Sequence, residues 1–154
     1  MPIFAFQTLH MQTGLVHLHN LLRWLILLFL LVTLFQAIAK NAAIRKTSLL
    51  LLIVSHLTLL IGIYQLVAGR FGITKGYSGE GTWMSDKFYR FFWLEHPLLT
   101  IIAIVLITIA RGKAKALNYK ATTWLLIVAL VLLLAAIPWP FREIVGRPLF
   151  PGMQ

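Results

Sequence analysis

The chain has 154 residues, of which 60% are hydrophobic and 12% charged, with a mean hydropathy of +0.86. Soluble domains carry roughly 25% charged residues, so this composition excludes a water-soluble globule and fits one domain lying almost wholly in a membrane. The net charge of +10 is spread over short loops with no soluble module to present it, which excludes nucleic acid as a partner, and the absence of cysteine excludes thiolate, iron–sulfur and thioether-haem chemistry.

Four apolar stretches, 15–39, 48–68, 91–110 and 121–137, are each about long enough to cross a bilayer of roughly 30 Å as a helix. The first follows a leader without Lys or Arg and is too long for a cleaved signal peptide, so it is expected to remain as a membrane helix. The connection 70–90 contains Gly72, Gly76, Gly79 and Gly81 but has neither the spacing of a phosphate loop nor a strand before it. It reads as a surface loop that brings Tyr77 and Trp83 near the lipid headgroups. The third stretch carries Pro97, a kink near its start, and the fourth stops at Pro138 and Pro140. The remaining segment, 138–154, reads as an interfacial tail anchored by Trp139 and Phe141. Lipid gives an unpaired backbone no partner, and no period-2 alternation is present, so the spans are helices. The expected fold is an all-α, up-down four-helix bundle, with helices one and two, and three and four, as antiparallel neighbours.

Lys40, Arg45, Lys46, Arg111, Lys113, Lys115 and Lys120 crowd the two short loops, with no acid among them. By the positive-inside rule these loops are cytoplasmic, which puts both termini and the 70–90 loop on the outer face of a bacterial inner membrane.

The ionisable residues within the spans are few: His17, His19 and Arg23 in the first, His56 in the second, Glu95 and His96 in the third. Such groups are costly in lipid and usually face the bundle interior, where they mark function. At 1.5 Å per residue from the outer face, His19 lies about 6 Å deep and His96 about 10 Å, whereas His56 lies about 18 Å deep. His19 and His96 are therefore nearly level, and His56 is an awkward partner for either. Arg23, about 12 Å deep, and Glu95, about 9 Å deep, are placed to pair. His17 is about 200° around the helix from His19, while Arg23 shares the His19 face.

Inward imidazoles on different helices, an apolar slot and nearby cations are what haem b requires. His19 and His96 supply the imidazoles, Phe92, Trp93, Leu99 and Ala103 the walls, and Arg23 or Arg90 the cations for the propionates. A three-histidine metal site from His19, His56 and His96 is the chemical alternative, and the depth of His56 counts against it. The strings His17-Leu18-His19-Asn20-Leu21-Leu22-Arg23-Trp24, Ser55-His56-Leu57-Thr58-Leu59-Leu60-Ile61-Gly62, Phe92-Trp93-Leu94-Glu95-His96-Pro97 and Ile137-Pro138-Trp139-Pro140-Phe141-Arg142, taken in order, resemble a family of small bacterial four-helix membrane proteins labelled cytochrome b. The resemblance spans nearly the whole chain. It implies haem-linked electron transfer, with His19, His56 and His96 as candidate iron ligands and Arg23 and Glu95 as their polar neighbours.

The expected function is single-electron transfer between a quinol pool and a redox partner at the outer face, with Glu95 as proton acceptor and quinone as a second ligand. Two alternatives stand beside it. One is a non-catalytic subunit or assembly factor of a larger membrane complex, or a homo-oligomer, whose histidines serve packing. The other is a carrier of a metal ion or of haem, although the acid pairs and broken helices of transport paths are missing.

Overall fold

A computed structural model describes residues 3–150, with side chains from residue 11 onward. Four long helices form the body: α1 (Ile3–Ile38), α2 (Ile44–Ala68), α4 (His96–Lys115) and α5 (Tyr119–Ala136), with a single-turn α3 (Lys87–Arg90) before α4. All four are long and apolar enough to cross a membrane, and no strand occurs among the described residues. The four-helix bundle expected from the sequence is the fold observed. The first helix starts at Ile3, well before residue 15, because only Gly14 interrupts a run without proline, and one glycine costs about 1 kcal/mol, too little to end a helix. The side chain of His10 lies outside the described residues, as does the end of the tail beyond residue 150.

The helices pack in a ring, α1 against α2, α2 against α4, α4 against α5 and α5 back against α1. Leu30, Leu51, Ile107 and Leu126 fill the centre with Ala103, Ala110 and Ala129 between them. Lipid removes most of the hydrophobic drive between helices, so small residues that allow close backbone approach take over the work of cohesion. The outward faces are apolar instead: Phe35, Leu60, Trp124 and Val131 are all at least 60% exposed, the surface of a multi-pass protein against lipid. Buried Thr33, Ser48, Ser55, Thr58 and Thr122 each donate to a carbonyl three or four residues back, so no hydroxyl is stranded in this interior.

The end with the two short loops is tied off. Both loops begin with a left-handed residue, Lys40 and Leu117, and the next amide in each case returns to a carbonyl five residues back, Asn41 to Gln36 and Asn118 to Lys113. Ala37, Ile44 and Ala114 pack beneath, and Arg45 donates to the Lys115 carbonyl across the two loops at 3.1 Å.

The opposite end opens. Asp86 caps α3 by accepting from the amides of Phe88 and Tyr89, and Phe91–Glu95 then winds as a π turn in which the His96 amide reaches the Phe91 carbonyl. Pro97 has no amide proton for the residues behind it, and a locally widened turn accommodates that gap. The tail after α5 does not simply lie at the membrane surface. It folds back over the bundle, and the Leu149 carbonyl accepts from Arg23 at 2.7 Å, Trp24 at 2.9 Å and Asn20 at 3.5 Å. Phe150 stacks on Trp24 with ring centroids 5.5 Å apart.

Candidate functional site

The widened turn and the folded tail leave a cavity of about 670 Å³ between α1, α2 and the start of α4, within the size range of pockets for small organic ligands. Its lining is largely apolar, and His19 and His96 face each other in it with ring centroids 6.3 Å apart and planes inclined by 64°. The level placement expected from depth is the placement found.

Each imidazole is held by a neighbouring helix. His96 Nδ1 lies 2.8 Å from the Ala136 carbonyl at the end of α5, so Nδ1–H donates and Nε2 keeps its lone pair for a ligand. His19 fits beside Gly62, where an added Cβ would stand 3.3 Å from its Cε1, and its Nδ1 is buried without a partner. Gly62 thus does more than permit close helix packing, since the missing side chain is the space the ring occupies. The 64° inclination makes this an edge-on contact between the two imidazoles.

Three buried side-chain polar atoms lack a hydrogen-bond partner among the described residues: His19 Nδ1, Arg23 Nε and Gln65 Nε2. All three residues line this one cavity. Buried polar groups are nearly always satisfied, so their collection around one space points to a ligand that supplies the partners.

Other expectations are corrected. Arg23 and Glu95 do not pair, because Arg23 turns to the tail and Glu95 accepts from Arg90 Nε at 2.7 Å, five residues back along the wide π turn. Neither Glu95 nor Arg90 lines the histidine cavity. They belong to an open groove of about 290 Å³ with Lys87 and Arg142, on another side of this end. His56 is exposed on the outer face of α2, bonded through Nδ1 to the Leu52 carbonyl of its own helix, and it does not enter the cavity. No group of three metal-ligating side chains forms among the described residues, so the three-histidine site is not assembled. His17 borders the same cavity as His19, although it is exposed.

Several cavity residues escaped the sequence reading: Gln65, Thr58, Arg70 and, from the tail, Arg147 and Phe150. Gln65 and Thr58 follow His56 on α2 by nine and by two residues and so lie on the opposite face, and reading His56 as inward hid them. Nothing in the sequence announces that the tail returns to the bundle. Compared with models of protein families, with curated proteins and with solved structures, the chain matches none of them.

Proposed function

We propose that the cavity holds one haem b between His19 and His96, and that the protein is a membrane cytochrome passing single electrons between a quinol pool and a partner at the 70–90 face. The observation that carries this reading is the facing pair of imidazoles at 6.3 Å, one oriented by the Ala136 carbonyl and one seated against Gly62, in an apolar cavity. The donor set fits, with two nitrogens from different helices, no cysteine and no competing carboxylate in the lining.

When bound, haem supplies one-electron Fe(II)/Fe(III) chemistry, with a potential set by axial ligands and burial. The chain's own residues do the rest. The Ala136 carbonyl fixes the tautomer and ring angle of His96, Gly62 leaves the slot for His19, and Trp93, held by its indole N–H to the Phe71 carbonyl at 2.7 Å, walls off one side. Arg23 presents an unpaired Nε to the same space. Glu95 stays outside the cavity, so a quinol proton released there would need another acceptor. The cation-rich short loops favour a cytoplasmic location for the tied end and an outward one for the cavity end, in a bacterial inner membrane.

The test is the absorption spectrum of the detergent-purified protein, oxidised and then reduced with dithionite. A Soret band with a sharp α band on reduction is expected. A colourless preparation that takes up no added haem would overturn the reading and favour a structural subunit.

A further inference from the structure

The charges around the cavity are one-sided. Arg23, Arg70 and Arg147 line it, while none of the chain's four acidic residues does. Glu95 is taken by Arg90, Asp86 caps α3, Glu143 lies in the separate groove, and Glu80 stays in the loop.

Arg70 and Arg147 are held in a specific way. The Arg70 guanidinium lies 5.3 Å from the Phe71 ring, and that of Arg147 lies 5.4 Å from Phe88 and 5.3 Å from Phe92. Phe71 and Phe88 meet edge to face at 5.1 Å, so one aromatic pair carries a guanidinium at each end. Stacking of this kind fixes the planar head while leaving its N–H donors free in the plane. Neither guanidinium donates a hydrogen bond or forms an ion pair among the described residues. Burial lowers the pKa of Arg147, and the neighbouring Arg70 charge lowers it further. Two like charges held together beside an apolar cavity are unfavourable alone and complementary to an anion between them.

We propose that Arg70 and Arg147 clamp an oxyanion at the rim of the cavity, the carboxylate or phosphate head of a ligand whose apolar body lies inside. This rests on the cavity being a ligand site, and on its ligand being haem only if the anion is a haem carboxylate. An acidic phospholipid offers the same chemistry from a second source.

The experiment uses the full-length protein in detergent, as wild type, Arg70→Gln/Arg147→Gln, and Lys75→Gln/Lys87→Gln, which removes equal charge away from the cavity. In the first arm each is titrated with haemin and with haemin dimethyl ester. Wild type and the lysine variant should favour haemin by about tenfold or more, and the arginine variant should lose that preference. In the second arm each is equilibrated with equal parts of phosphatidylglycerol and phosphatidylcholine, and retained lipid is read by native mass spectrometry. If haemin does not bind the wild type, the haem reading fails, but selective retention of phosphatidylglycerol that the arginine variant loses upholds the clamp with a lipid as its source. Equal behaviour of wild type and arginine variant in both arms overturns it. Should the double variant not fold, Arg70→Gln alone carries the same comparison, since Arg70 is exposed at the rim.

Discussion

The two ends of the bundle are built from the same four helices and are opposites in packing. At the tied end, alanines at 37, 110 and 114 let the helices close, both turns are sealed by the same backbone bond, and buried hydroxyls are satisfied within their own helices. At the open end, Pro97 and its π turn spread the start of α4, a glycine takes the place of a side chain, and three polar atoms are left without partners. Stability is invested at one end and chemical potential for binding at the other, the usual division between scaffold and site.

The largest effect that would break this comparison is loss of either imidazole of the proposed haem site. His19→Ala or His96→Ala is expected to abolish the six-coordinate haem spectrum, whereas His56→Ala, on the outer face, should leave it unchanged, as read by absorption of the reduced protein. Loss of all haem on the His56 change would mean that α2 turns its other face inward.

At the tied end the opposite outcome is expected. Ile44→Ala, at a site 0% exposed, should cost about 2–5 kcal/mol of stability by leaving a void, visible as a lower thermal midpoint, while the haem bands of the folded fraction keep their position. A shifted spectrum with no loss of stability would erase the distinction between the two ends.

Gly62→Ala sharpens the comparison at intermediate scale. The added methyl stands 3.3 Å from His19 Cε1, so the ring must give by a few tenths of an ångström. A shifted reduction potential or weakened haem retention is expected by redox titration, with little change in helix content. An unaltered potential would show that His19 is not seated there.

Smallest is the ion pair. Arg90 and Glu95 have side chains 40% and 44% exposed, so Arg90→Met or Glu95→Leu should each change stability by about 1 kcal/mol or less, in contrast to a buried pair. A loss of several kcal/mol in thermal or chemical denaturation would mean that the groove is covered in the membrane.

The helices and their neighbours were legible because length, hydropathy and proline positions act locally along the chain. The His19–His96 pair was legible for a related reason: helical rise converts residue number into depth, and two residues at one depth on helices that share an interior must meet. Arg23 shows where such reasoning stops. Its depth matched that of Glu95, but depth says nothing of direction around the helix, and the π turn before Pro97 rotated Glu95 toward Arg90. The tail was illegible because the hydrogen bonds that dock it converge on one carbonyl, that of Leu149, and a backbone acceptor has no signature in side-chain identity.

The most direct measurement is electron paramagnetic resonance of the oxidised, purified protein, with pulsed detection of nitrogen couplings. A low-spin ferric signal with two axial imidazole nitrogens is expected, converting to a high-spin signal in both His19→Ala and His96→Ala. No haem signal, or a low-spin signal that survives both substitutions, would contradict the assignment of the cavity.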